Sequence, residues 1–532
     1  MFNYVTCKWY HVNCQVYVSR HGIRTPYPAD NGTVTDYSSY TPLIFPDETD
    51  WNMTYDAFAN QYLTPHGQVV MSNIGSYYKD RWGQNGLGTI DCDRITCYAD
   101  FSSDATRDRD SAMYWLNGFE LCPNLPIILV NDTTNSNMEP VLSDHYLFPA
   151  ASCQLATEEQ VNGLYGGDVD ALTEMYYDSI QQVNEVLNMT EPGFHADVCQ
   201  NINPEYDESA VPAPNCTLFE TGYEYTGVFY NGMFTSPMYY AGYFAENWMF
   251  QYLGNVETWA FDQIPFSILR DLYSMHIESM WFGTNYWNSN AYSSQQLSYI
   301  MATMDQYVTG TDIDGVPQSS DQNVVLLFSH DTNILYLRRL LGVNWIPVGY
   351  GSNVASPGGA LSFELWHDDA GSDTDIDAYF VKLLYIAPSP DQQRNAEVLN
   401  TDTNEPSIAT LVIPDCGLEL CPFSLFKSIV LTHMNSECIL EPFQTSIRNM
   451  QSQDAQGNNN NDDDGDFNMS GWQLVGTTIG FMLGLIFVLG VFVYYYNKTQ
   501  YKAINNNNND EDKLKRDMYS GDVKNPVSTS NA

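Results

Sequence analysis

The segment Val324-Val325-Leu326-Leu327-Phe328 is wholly apolar and stops abruptly at Ser329-His330-Asp331. A short apolar run without period-2 alternation, bounded by polar residues, predicts a strand buried on both faces, as parallel sheets require. Val16-Tyr17-Val18 has the same form and leads into Ser19-Arg20-His21-Gly22-Ile23-Arg24-Thr25-Pro26-Tyr27-Pro28. Ile95-Thr96-Cys97-Tyr98-Ala99-Asp100-Phe101 alternates like a strand, and a helix carrying Arg107 is predicted to run on to Glu120. In open α/β sheets, ligands lie beyond the carboxyl ends of the strands. Arg20, His21, Arg24, Arg107, His330 and Asp331 are therefore expected in one crevice.

Those residue types point to an anion site. Guanidinium groups bind phosphate oxygens in a fork and keep their charge at any physiological pH. Gly22 lets backbone approach a ligand closely. Each stretch alone has a plainer reading: a basic turn around His21, a structural His330-Asp331 pair, an Arg107 ion pair with Asp104 or Asp108. Three distant stretches meeting at one end of a sheet favour a single site.

The string Arg20-His21-Gly22-Ile23-Arg24-Thr25-Pro26-Tyr27-Pro28 resembles the signature of the histidine acid phosphatases. Leu63-Thr64-Pro65-His66-Gly67 resembles the opening of the helix that follows their nucleophile loop, with Thr64 a plausible N-cap. Ser103-Asp104-Ala105-Thr106-Arg107 and Ser111-Ala112 match their third arginine motif, and His330-Asp331 their acid motif. The strands around Phe363-Glu364-Leu365 and Val381-Lys382-Leu383-Leu384-Tyr385, predicted as a hairpin, fit as well. The likeness covers about residues 14–435 and is nearest the membrane-anchored lysosomal or prostatic type. It implies that His21 is the nucleophile, that Asp331 is the proton donor, and that Arg20, Arg24, Arg107 and His330 bind phosphate. It implies no metal and no cofactor. Arg109, two residues beyond Arg107, is expected to face elsewhere. The family's phytases typically carry His-Ala-Glu where this chain has His330-Asp331-Thr332, which argues against inositol hexakisphosphate as preferred substrate. The resemblance also implies disulfides Cys416–Cys421 and Cys153–Cys438. The other function class open to this fold is a catalytically silent receptor or binding domain. Its mark would be a missing catalytic residue, and none is missing.

A net charge of −44 disfavours nucleic acid as partner and requires an anionic substrate to be drawn by local arginines. All 11 cysteines lie at or before Cys438. Sequons at Asn31, Asn52, Asn131, Asn188, Asn215 and Asn468 mark glycosylation candidates, and with the cysteines they fit an oxidising lumen. The odd cysteine count leaves at least one thiol outside an intrachain pair. His66, His145, His195 and His276 lack metal-ligand spacing and are expected to be surface or core histidines.

Residues 474–493 form a charge-free apolar stretch long enough to cross a bilayer, with Trp472 and Tyr494-Tyr495-Tyr496 as interfacial anchors. Gly476, Gly480 and Gly484 give two overlapping GxxxG steps, a candidate pairing face. Aspartates precede the stretch and lysines follow it, which predicts a single-pass type I protein with a luminal or extracellular catalytic region. Tyr501-Lys502-Ala503-Ile504 has the Tyr-x-x-apolar form of an endocytic or lysosomal sorting signal, making Tyr501 and Ile504 sorting candidates, with lysosomal or endosomal membrane and cell surface both left open. The first dozen residues do not read as a signal peptide, so a missing true start or foreign leading sequence is expected.

The predicted fold class is α/β: a central mixed, largely parallel sheet flanked by helices, a mostly helical cap insertion and one C-terminal transmembrane helix. Residues 14–120 and 316–440 are assigned to the core and 121–315 to the cap, with helices over 169–189, 261–282 and 292–307. Residues 451–470 are assigned to a disordered Asn/Asp-rich linker and 497–532 to a cytosolic tail. The expected partners are a small phosphate monoester and the membrane, and a homodimer is left open.

Overall fold

The structure is a computed structural model that describes residues 10–460, apart from 27–39, 42, 85–86, 88–90, 102–105, 131–152, 165, 168–169, 190–216, 228–233 and 373–374. The strands are β1 Tyr10–Arg20, β2 Ile95–Asp100, β3 Ile127–Val130, β4 Glu224–Tyr225, β5 Phe234–Thr235, β6 Val324–Ser329, β7 Ala360–Asp368, β8 Tyr379–Ala387, β9 Ser407–Leu411 and β10 Cys421–Pro422. One sheet runs in the order β10-β8-β7-β1-β6-β2-β3, with β9 also on β8, and β4 pairs with β5 separately.

β1, β6, β2 and β3 are parallel neighbours. β7 lies antiparallel to β1, and β8, β9 and β10 continue in that sense. The expectation of a largely parallel sheet is thus corrected: three pairings are parallel and four antiparallel. The predicted hairpin is β7–β8, but it joins the main sheet beside β1. An antiparallel neighbour needs no crossover helix, so nothing in the local sequence marks that placement.

Side-chain alternation splits the core between the two faces of the sheet. Val324, Leu326 and Phe328 of β6 enter one apolar cluster, and Val325 and Leu327 enter the other. In β1, Cys14, Val16 and Val18 share the second cluster, whereas Val12 lies in the first. A register shift between Val12 and Cys14 against β7 accounts for the change of face, because an extra residue inverts every side chain beyond it. Tyr10, His11 and Val12, among the first dozen residues that do not read as a signal peptide, belong to this strand.

Helices cover the sheet and the region before β6. The predicted helix over 169–189 is two helices, Asp170–Met175 and Tyr177–Val186. Those predicted over 261–282 and 292–307 are Phe266–Gly283 and Tyr286–Thr309. A further helix, Pro237–Leu253, begins at Ser236, whose side chain accepts from the Tyr239 amide, with Pro237 in the first turn. Thr64 caps Pro65–Gln84 as expected, accepting from the Gly67 amide at 2.9 Å.

Disulfides join Cys153 to Cys438 and Cys416 to Cys421, as the resemblance implied, and also Cys92 to Cys122, which was not foreseen. Cys14 and Cys97 are buried free thiols. The expected disordered linker begins later than 451, because a helix spans Phe443–Asn460. Buried Phe443 and Ile447 anchor it, and the Gln451 side chain donates to the Leu431 carbonyl at 2.9 Å. Among the described residues no helix is long and apolar enough to cross a membrane. The stretch 474–493, the tail, Tyr501, Ile504, Asn31, Asn131, Asn215, Asn468, His145 and His195 lie outside the described residues. Asn52 is exposed and Asn188 half-buried.

Candidate active site

The register brings the three predicted stretches level. Arg20 pairs with Ser329 across β1 and β6, and Ala99 with Phe328 across β2 and β6, so all three strands end together. His21 leaves β1 held from both sides: its amide donates to the Ser329 carbonyl at 2.8 Å, and its carbonyl accepts from the Gly358 amide at 2.9 Å. Gly22 is required by packing. A Cβ there would lie 2.7 Å from Met71 Cγ and 2.9 Å from Leu63 Cδ1.

His21 is buried, and its Nδ1 lies 2.8 Å from the Gly22 carbonyl oxygen. A carbonyl only accepts, so Nδ1 carries the proton and Nε2 keeps its lone pair. Burial pushes the His21 pKa well below its ordinary 6.5, and Arg107, Arg20, Arg24 and His330 push it further in the same direction. Burial and the surrounding cations therefore favour the neutral imidazole.

Arg20 is buried to 1% exposure. Its Nη1 donates to the Ala355 carbonyl at 2.8 Å, and its Nη2 lies 3.0 Å from Glu246 Oε1 and 2.8 Å from Asp331 Oδ2. Burial lowers the Arg20 pKa, but Asp331, Tyr273 and Glu246 outweigh it and hold the group charged. Its Nε–H is buried without a hydrogen-bond partner, a donor left for an incoming anion. Arg24 is buried with its guanidinium 4.7 Å from the centre of the Phe250 ring. Arg107 opens the helix Arg107–Phe119, with Nε 3.8 Å from Asp108 Oδ2. Asp331 opens the helix Asp331–Leu341. Helix N-termini favour negative charge, so backbone adds to the cationic field of the arginines. Arg109 faces elsewhere, paired with Asp110 and lying over Phe101.

His330 stands 5.8 Å from His21 between ring centres. Its Nε2 lies 2.8 Å from Asp100 Oδ2, and its Nδ1 lies 3.9 Å from Asp108 Oδ1. Two buried acids thus flank the second histidine; sequence reasoning assigned Asp100 no role and Asp108 only that of an ion-pair partner for Arg107.

Three further side chains were missed. Glu246 lies on Pro237–Leu253, Tyr273 and His276 on Phe266–Gly283. The Tyr273 hydroxyl is 3.4 Å from Arg20 Nη1. His276, expected to be a surface or core histidine, is buried with Nε2 3.3 Å from Glu246 Oε1. Burial raises the Glu246 pKa, but His276, Arg24 and Arg20 together lower it further, so the carboxylate stays ionised. The available signal was the helix itself: Glu246 is its sole charged residue. An isolated charge in an apolar helix demands a partner. His66, by contrast, is a structural histidine with Nε2 2.7 Å from the Gln393 carbonyl oxygen.

The arrangement presents a neutral imidazole nitrogen amid three guanidinium groups, with a carboxyl group held beside them. It suits in-line attack on a tetrahedral anion.

Comparison with known proteins agrees. No curated protein sequence matches the chain. The family model for the histidine phosphatase superfamily (branch 2) matches residues 11–386. Among solved structures, a Hafnia alvei phytase in complex with tartrate superposes with a TM-score of 0.63 at 21% identity, covering 81% of this chain and 99% of that one. A Citrobacter braakii phytase gives 0.61 at 19% identity, covering 80% and 99%. A Klebsiella sp. ASR1 phytase gives 0.58 at 18% identity, covering 82% and 99%. At such identities the likeness shows the fold, and the family model assigns the membership. The chain belongs to the histidine phosphatase superfamily, branch 2.

Proposed function

We propose that the chain hydrolyses phosphate monoesters through a phosphohistidine, as a membrane-anchored acid phosphatase with its catalytic region in the lumen or outside the cell. The observation that carries the chemistry is His21, with Nδ1 tied to the Gly22 carbonyl and its pKa held low by burial and three arginines.

His21 Nε2 attacks phosphorus, the bond to the ester oxygen breaks, and protonated Asp331 gives its proton to the departing oxygen. Arg20, Arg24 and Arg107 take the charge that spreads over the equatorial oxygens. Water then attacks phosphorus as Asp331 accepts its proton, the phosphorus–nitrogen bond breaks with its electron pair returning to His21 Nε2, and phosphate leaves. His330, oriented by Asp100, stands 5.8 Å from His21 between ring centres and adds its imidazole to the group around the same oxygens.

The apolar stretch 474–493 and its flanking charges support anchoring, the sequons support glycosylation, and Tyr501 with Ile504 supports lysosomal or endosomal delivery. The solved relatives named above are phytases, whereas His330-Asp331-Thr332 had been read against inositol hexakisphosphate. We take simple monoesters as the substrate class, with that polyphosphate as the competing substrate to assay.

The test is hydrolysis of an aryl phosphate from acid to neutral pH, with a chelator present, by wild type and His21→Ala. Chelator-resistant acid activity that is lost in a folded His21→Ala variant supports the proposal. A folded wild type without activity would instead make the arginine crevice a binding site.

A further inference from the structure

At the opposite end of β1 from His21, three metal-ligating side chains converge. His11 and His367 are directly paired in the antiparallel β1–β7 register, so their side chains leave the same face. Asp369 lies in the turn just past the end of β7, and that turn brings its carboxylate to His11. One ligand atom from each of His11, His367 and Asp369 lies within 4.8 Å of the others.

The local packing suits ligation. His11 Nδ1 is 2.6 Å from Asp369 Oδ1. The two imidazoles meet edge to face with ring centres 5.7 Å apart. His367 is buried against Tyr379, its ring 4.7 Å away, which restricts its orientation. His11 and Asp369 are about half exposed, at 47% and 50%, leaving an entry path and room for water to complete the coordination. The chain's large net negative charge favours a cation.

We propose that His11, His367 and Asp369 form a divalent transition-metal site of zinc type. Two imidazoles and one carboxylate are borderline ligands that suit zinc better than calcium or magnesium. Binding replaces the His11–Asp369 contact with three metal–ligand bonds and releases any proton held on His11. The site is structural. It clamps the first residues of β1 to the end of β7, about 33 Å from the nucleophile at the rise of an extended strand. It is separate from the carboxylate and histidine groups beside Arg20 and His330, where the arginines repel a cation.

The test is equilibrium dialysis of the chelator-stripped full-length chain against zinc chloride, for wild type, His11→Ala and Asp369→Asn. The wild type is expected to retain one zinc equivalent that both variants lose. Zinc should raise the thermal midpoint of the wild type by several degrees and of the variants by less. Phosphate-ester hydrolysis should be equal in all three. Equal zinc retention in wild type and variants, or none in wild type, would overturn the site. Using two exposed positions guards against a folding defect in either.

Discussion

Asp331 Oδ2 rests 2.8 Å from the Nη2 of Arg20. The same guanidinium fixes where the Asp331 carboxyl sits, so under the proposed mechanism the positions of substrate and of proton donor are mechanically linked. Asp331 Oδ1 accepts from the Thr332 amide at 2.9 Å, so both oxygens are held.

Asp331→Asn removes the transferable proton while keeping the shape. For alkyl phosphates, whose leaving alkoxide needs that proton, kcat should fall by about 10²–10⁴-fold. For p-nitrophenyl phosphate, whose leaving group departs as an anion, the loss in the first step should be far smaller. Comparing burst amplitude and kcat for the two esters checks this. Equal losses in the first step would remove Asp331 from the role of acid.

Arg107 depresses the His21 pKa after burial itself. Removing that positive charge with Arg107→Gln favours the protonated imidazole, so the His21 pKa should rise. The acid limb of the kcat/KM profile should then move toward neutral pH, and KM should increase through the lost phosphate contact. A weaker KM with an unmoved acid limb would assign Arg107 to binding alone.

Glu246 has a folded pKa below its ordinary 4.5 because His276, Arg24 and Arg20 overcome burial. A depressed carboxyl contributes stability that is present above its unfolded pKa and lost as pH falls through the folded one. Acid unfolding of the wild type should include this loss below about pH 4.5. Glu246→Gln should flatten that part of the profile and cost about 3 kcal/mol at neutral pH, since Arg20 loses a buried counter-charge. Denaturant titrations at several pH values measure both.

Cys153 and Cys438 are 285 residues apart, whereas Cys416 and Cys421 are five apart. Loop-closure entropy makes the long bridge the stronger constraint on the unfolded chain. Replacing both members by serine should cost about 5 kcal/mol for the long pair and about 2 kcal/mol for the short one. Chemical denaturation of the two double variants compares them.

What could be read beforehand was whatever local sequence carries. Buried strands such as Val324–Ser329 announce themselves by composition, and the ends of β1, β2 and β6 pointed to the crevice in which the arginines and histidines meet. The direction of β7 beside β1 was not legible, because strand order is a long-range property. Asp100 and Asp108 looked like ordinary surface acids; their burial against His330 arises only when β2 and Arg107–Phe119 pack together. Glu246 and His276 come from different helices and meet when those helices pack together. The Cys92–Cys122 bridge shared no motif with the family likeness, and spacing alone does not choose partners.

Arg20, on the strand scaffold, is neutralised by Glu246, which comes from the helical region that covers it. Chimeras that exchange this covering region between relatives, as a route to new selectivity, would therefore be constrained by a counter-ion. A donor segment lacking an acid at this position would remove one of the two carboxylates paired with the buried guanidinium and leave Asp331 to hold it alone. Recombination should succeed where the glutamate travels with the graft and fail where it is left behind, whatever the fit of the apolar surfaces.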